Sequence, residues 1–229
     1  MGFAKTVAVV SLTLVLAYAI RRLADSRQAT IHVVRKGDEV GQVVTTRLNS
    51  FRSVIDAGDF DGYRNHVLRV LSYALHFLGG HGRVDARTSE LAAIALVYHD
   101  IGLWTDARLD YVVPSGHRAA DELEGELTED ELAMVVDAIV YHHKITPFDG
   151  KDEALDPEHV AFVDAIRKAD WIDATMGTVH HGMARADIDR VYAVHPPAGF
   201  YTTLAAIGPR LYGYNVPRIM WELAQIVYL

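Results

Sequence analysis

An almost unbroken apolar run, Leu91 to Val97, leads directly into His99-Asp100, and this junction constrains the fold more than any other stretch of the chain. At helical spacing the run is apolar on every face, so it reads as a helix buried on most sides. The aspartate at its end is carried into low-dielectric surroundings, where an uncompensated carboxylate is costly. The fold must therefore supply a partner, and a metal cation is one of few groups able to compensate such a charge.

The rest of the chain is a succession of helical patterns with clear punctuation. Thr30 to Val34 alternates weakly and predicts a short strand, and Asp38 to Ala57 an amphipathic helix ending near Gly58. Helices follow over Asp61 to Leu78, stopped by Gly79-Gly80, and over Thr88 to Leu103. Ser115 as N-cap predicts a short helix to Leu123, and Thr128 with Glu131 has capping-box spacing for one reaching His143. Asp156 followed by Pro157 opens a helix to Thr175, and two more are expected over Gly199 to Tyr212 and Pro217 to Leu229. No repeat or β-rich block appears, so the expected architecture is all-α. It divides into an apolar segment with a basic flank (1–29), a connector and helix (30–60), and a helical domain (61–229).

Lys and Arg number 22 against 30 Asp and Glu, a formal charge of −8, which disfavours a nucleic-acid partner. The chain has no cysteine, excluding thiolate metal sites and a cysteine nucleophile, and its 12 histidines become the informative residues. Near the start, Val7 to Ile20 is apolar, with Arg21, Arg22, Arg27, Arg35 and Lys36 after it against Lys5 before. That bias predicts a membrane anchor with a cytoplasmic catalytic domain. The alternatives are export after signal-peptide cleavage at the A-x-A-like Ala17-Tyr18-Ala19, or a buried helix.

Several other segments carry groups that match His99 and Asp100. His66 shares a helical stripe with Tyr63 and Val70, and Asp170 one with Ile166 and Val163, so both are expected to point inward. His117 follows Ser115-Gly116, and His142-His143 close the helix begun at Thr128. An inward histidine taken alone is more often a hydrogen-bonded core residue. The joint order of His, His-Asp, His, His-His and Asp instead predicts a divalent-metal site, with six ligands suggesting two ions. Asp100 would bridge; His66, His99 and Asp170 would hold one ion, and His117 with His142 or His143 the other. Imidazole and carboxylate suit Fe, Mn, Zn and Co. Asn65, Arg69 and Lys144 are candidate contacts for a small anionic substrate. Asp173, one turn beyond Asp170, is a candidate general base or a group orienting a ligand.

This ordered set resembles the H…HD…H…H…D pattern of the HD-domain superfamily of metal-dependent hydrolases, from Tyr63 to Thr175, with His99-Asp100-Ile101-Gly102 and Tyr141-His142-His143 sharpening the likeness. The resemblance implies a helical bundle around a buried mono- or dinuclear centre, and a phosphohydrolase cleaving a small phosphate ester or anhydride through a metal-activated hydroxide. Asn65 to Val70 with His99 to Gly102, and the segment Pro196 to Phe200, are similar to the fungal cyanamide hydratase group, which lacks a counterpart of His117. The cyclic-di-GMP phosphodiesterases share His142-His143, but Lys144 and Phe148-Asp149-Gly150-Lys151 depart from their signature. The mixed-valent diiron oxygenases, resembling myo-inositol oxygenase, use the same ligand set for a different chemistry.

Overall fold

The computed structural model describes residues 31–79, 84–150 and 155–227, and these are helical with no strand among them. The elements are α1 (Glu39–Ser50), α2 (Phe60–Gly79), α3 (Ala86–Tyr98), α4 (Gly102–Thr105), α5 (Val112–Leu123), α6 (Glu129–Tyr141), α7 (Pro157–Ala174), α8 (Arg185–Val194), α9 (Phe200–Tyr212) and α10 (Val216–Val227). The all-α expectation is met.

Local chemistry sets several of the boundaries. The Asp85 side chain accepts from the Thr88 amide at 2.9 Å and caps α3, which starts at Ala86, two residues earlier than a start at Thr88. Thr128 and Glu131 form the full capping box of α6, and Asp156 caps α7 with Pro157 in its first turn, as their spacing predicts. Ser115 is not an N-cap. It lies inside α5, where its hydroxyl accepts from the Gly102 amide at 2.9 Å and fastens α4 to α5. The helix expected from Thr88 to Leu103 is interrupted at His99–Ile101, so the His-Asp pair sits in a turn between α3 and α4.

α2 and α7 pack along each other at the centre, with α3 and α6 completing the bundle, α1 laid over α3, and α5 against α6. Every residue from Leu91 to Tyr98 is buried, as the apolar run requires. Within 31–60, which includes α1, Ile31, Val34, Val44, Leu48, Phe51 and Ile55 belong to the main core. The strand expected at Thr30 to Val34 does not form over its described part, Ile31 to Val34. Side chains hold that extended segment instead, with Asp187 Oδ1 accepting from Ile31 N at 3.3 Å and Ser72 Oγ from Val34 N at 3.1 Å. α8 has no counterpart in the sequence reading. Its N-cap Ala184 makes no side-chain cap, and only Asp187, Ile188 and Val191 are buried, so neither a start signal nor a strong stripe announces it.

The membrane-anchor expectation is corrected. No described helix is long and apolar enough to cross a membrane, and Val7 to Ile20, which carried the anchor and signal-peptide readings and the expected N-terminal apolar helix, lies outside the described residues.

One close approach matters for the site. A Cβ on Gly62 would stand 2.9 Å from Ala198 O and 3.0 Å from Phe200 N, so only glycine lets the 196–200 segment lie against α2. Gly199, at φ +89°, then turns the chain into α9 in the left-handed region that glycine tolerates. Gly62→Ala is expected to destabilise the protein by about 1–3 kcal/mol through this overpacking, read as a lowered midpoint in urea; an unchanged midpoint would show that the segment is free to retreat.

Candidate metal centre

His99 and His142 are built by the same device. Each is the residue immediately after a helix, and each Nδ1 meets the carbonyl three residues back, Leu96 O and Ile139 O, both at 2.6 Å. A helix end leaves its last carbonyls without intrahelical partners, so each ring donates its Nδ1–H there and turns Nε2 into the bundle. His66 reaches the same state through side chains. Its Nδ1 lies 2.7 Å from Asp173 Oδ2, and Asp173 is gripped by Arg69 through Nε at 2.6 Å and Nη2 at 2.8 Å. Arg69 is itself seated by the carbonyls of His195 and Pro196, and Phe200 stacks on the His66 ring at 4.1 Å.

The three Nε2 atoms converge on two carboxylates. His66 Nε2 and His99 Nε2 are 2.9 Å apart. Asp100 Oδ2 lies 3.4 Å from the first and 3.3 Å from the second, and Asp170 Oδ1 lies 3.5 and 3.9 Å from them. On the other side of Asp100, Oδ1 faces His142 Nε2 at 3.3 Å, while His143 Nδ1 is 3.3 Å from Asp170 Oδ2. Two sets share Asp100, each with ligand atoms within 4.8 Å of one another: His66 with His99, and His142 with His143. Asp100 is common to both sets.

Two imidazole nitrogens at 2.9 Å, each with its other nitrogen donating to a fixed acceptor, present lone pair to lone pair, which is repulsive unless a positive charge stands between or beside them. The charges make the same demand. Asp100, Asp170 and Asp173 are all buried, and Arg69 is committed to Asp173, so two carboxylates remain uncompensated. Asp100 Oδ1, His142 Nε2 and Asp170 Oδ2 are buried without a hydrogen-bond partner. Divalent cations held by the two sets would answer these demands, and the donors fit such an ion.

Without a cation, a proton takes its place. Burial alone would lower the His66 pKa, but hydrogen bonds and charge from Asp100 and Asp173 outweigh it and raise it to about 9. Burial holds His99 down to about 4, so it stays neutral and accepts. Burial opposes ionisation of Asp170, yet hydrogen bonding and charge from His143 bring it to about 2. Asp173, against the same opposition, is held low by Arg69 and His66.

The remaining expected residues fall differently. His117 is exposed and is not among the ligands. The buried stripe of α5 is Val112, Ser115, Gly116, Ala119 and Leu123, and position 117 points away from it. His117 instead lines two surface clefts, of about 310 and 360 Å³, to which no residue of the His-Asp cluster contributes. Arg69 is fully buried and spent on Asp173, so it is a support for His66 and not a substrate contact. Asp173 is likewise consumed by Arg69 and His66, which corrects its reading as general base in favour of orienting a ligand. The Asn65 amide donates to Pro196 O at 2.8 Å and fixes the segment before Phe200. Lys144 is half-buried, with its Nζ 5.6 Å from the Tyr141 ring centroid.

Two residues escaped the sequence reading. Tyr111, 4% exposed, places its hydroxyl 2.6 Å from His143 Nε2, and no motif marks it. Phe200 fell within the Pro196 to Phe200 resemblance and the helix expected from Gly199, but neither gave it a role beside His66. His143, whose side chain is 17% exposed against at most 4% for the others, is where the cluster meets solvent.

No family model, curated protein or solved structure matches this chain.

Because cation and proton compete for the His66 lone pair, loading the chelated protein with Mn or Zn at pH 7 is expected to release about one proton per chain, measurable by calorimetry in buffers of different ionisation enthalpy. Uptake of neither ion, with no proton release, would reduce the cluster to a buried imidazolium–carboxylate network. In the chelated protein, the depressed carboxylates contribute stability that is complete above their unfolded value near 4 and is lost as pH falls toward about 2. Urea midpoints across that window are expected to decline with falling pH.

Proposed function

We propose that this chain is a metal-dependent hydrolase of a small substrate, in keeping with its resemblance to the HD-domain superfamily. The observation that carries the reading is the 2.9 Å approach of His66 Nε2 to His99 Nε2, with both Nδ1 atoms already donated to acceptors. A divalent ion bound there supplies Lewis acidity toward water or a substrate oxygen at neutral pH. His66, His99, Asp100 and Asp170 would hold it, and Asp100, His142 and His143 offer a second seat.

The chain's own groups have separable tasks. Asp173 and Arg69 keep the proton of His66 on Nδ1. The Leu96 and Ile139 carbonyls do the same for His99 and His142. Burial excludes bulk water from all of them, which strengthens every electrostatic contact inside. His143, the most exposed of the cluster and against Tyr111, would stand beside an entering substrate. Of the contacts expected for an anionic substrate, Lys144 remains, since Arg69 is enclosed and Asn65 is tied to Pro196.

A second reading, addition of water to a small neutral molecule as in the cyanamide hydratase group, draws support from the same observations. The exposure of His117 removes the ligand that set this chain apart from that group, and the enclosure of Arg69 removes a cation suited to phosphate.

The experiment is elemental analysis of the purified protein with His99→Ala and Asp170→Ala, alongside turnover of p-nitrophenyl phosphate, nucleoside phosphates and cyanamide. Both variants are expected to lose the ion and to lose activity by about 100-fold or more; unchanged ion content in both overturns the reading. Phosphate release favours the first substrate class and urea formation the second, and obligatory dioxygen consumption would place the chain with the diiron oxygenases instead. Asp173→Asn, which keeps the shape but removes the charge behind His66, is expected to weaken ion affinity by about 10–100-fold, measured by competition with a chelating dye.

A further inference from the structure

Three of the four imidazoles in the cluster have a fixed acceptor behind them, and the fourth has Tyr111. His143 is the second residue beyond α6. Its Nδ1 faces Asp170 Oδ2 at 3.3 Å, and its Nε2 meets the Tyr111 hydroxyl at 2.6 Å. With Asp100 and His142 it makes up the second set of candidate ligands. An imidazole that turns Nδ1 toward a cation is bare on that nitrogen, so its one proton sits on Nε2 and needs an acceptor. The phenol oxygen stands at direct hydrogen-bonding distance, and a tyrosine hydroxyl accepts as readily as it donates.

Tyr111 is held in place independently of the ring it touches. It immediately precedes α5 and belongs to a smaller core with Leu103, Leu109, Val112, Ile207 and Ile226, apart from the main core around the ligands. A Cβ on Gly102 would stand 2.7 Å from Tyr111 O and 3.1 Å from Tyr111 Cβ, so the glycine two residues after Asp100 is what lets Tyr111 lie against α4. Tyr111 O accepts from Ser115 N at 2.8 Å, and two residues earlier the Leu109 amide donates to Glu222 Oε2 of α10 at 3.1 Å. The ring of Tyr111 meets that of His143 edge-on, at 6.0 Å and 84°. The hydroxyl is therefore a fixed post, set by α4, α5 and α10, against which the most exposed imidazole of the cluster is oriented.

We propose that Tyr111 is the positioning residue of the second ion seat, acting through His143 as Asp173 acts on the first through His66; the inference rests on the metal-centre reading given above. The two supports differ in charge. Asp173 is a carboxylate and strengthens the donor power of the ring in front of it, whereas a neutral phenol oxygen does so less. The seat made by Asp100, His142 and His143 is accordingly the weaker of the two, and it lies at the end of the cluster that meets solvent.

The test titrates the chelated full chain with Mn, following the free ion by its EPR signal. Two ions per chain are expected, one tight and one weak. Tyr111→Phe keeps the ring and removes the acceptor, and is expected to weaken the second ion by about 10–100-fold while the first changes by less than about twofold. Asp173→Asn is expected to do the reverse. In His143→Ala the second ion is already weakened, and adding Tyr111→Phe is expected to change its constant by less than about twofold, because the hydroxyl then has no ring to position. Two ions bound by Tyr111→Phe with unchanged constants overturn the proposal, as does an equal weakening of both ions, which would mark a packing role. Uptake of a single ion by the unsubstituted chain also overturns it and leaves the hydrolase reading standing, whereas uptake of none overturns both.

Discussion

Three imidazole nitrogens and two carboxylates face one another in a space open to solvent only beside His143, and the fold is organised to maintain that concentration of electron-rich groups. Such a cluster is unfavourable in isolation. It persists because each ring is fixed from behind by an acceptor, and because the helices that deliver the rings are buried for reasons of their own. Leu91 to Tyr98 are wholly enclosed, so α3 has one position in the bundle, and His99 and Asp100 follow from it. α2 is covered along most of its length from Phe60 to Ala74, which leaves His66 no route to solvent.

The positive charge that the cluster requires is supplied from outside the chain or by a proton. Arg69 lies close, yet it is directed to Asp173 and the carbonyls of His195 and Pro196, one residue removed from the ligands. Arg69 thus stiffens the support and leaves the centre free for a titratable or exchangeable charge. Asp173 in turn receives both Arg69 and His66, and its own backbone carbonyl accepts from the hydroxyls of Tyr192 and Tyr201. The C-terminal part of the chain therefore contributes to the site through Phe200, Tyr201 and the 195–196 carbonyls without donating a ligand.

How much of this could be read from the sequence differs by residue, and for identifiable reasons. His66 and Asp170 were legible as inward-facing because helical spacing fixed the face each occupies, and His99-Asp100 because they end the apolar run; the same reasoning left His142 and His143 undistinguished. His117 was misplaced because Ser115 was taken as an N-cap, and a helix that begins three residues earlier turns position 117 outward. Arg69 and Asp173 were recognised as lying near the site but given the wrong partner: one-dimensional spacing cannot say that two residues 104 positions apart neutralise each other. Tyr111 and α8 carried no signal, the first because a lone tyrosine before a helix has no motif, the second because its half-polar stripe and uncapped start resemble a loop. The N-terminal apolar segment lies outside the described residues, and hydropathy alone reports affinity for any apolar surrounding and not which one.

The matching attachment of His99 and His142 to main-chain carbonyls has a consequence for how this centre can change. A carbonyl is present whatever side chain stands at positions 96 and 139, so the orientation of two rings is insensitive to substitution there, short of one that distorts the helix. The third ring is different, because its anchor is made of replaceable side chains. Variation at 69 and 173 can therefore retune the electron-donating strength of one imidazole while the other two stay constant, and any divergence in ion preference among descendants of this chain has its simplest path through that one corner.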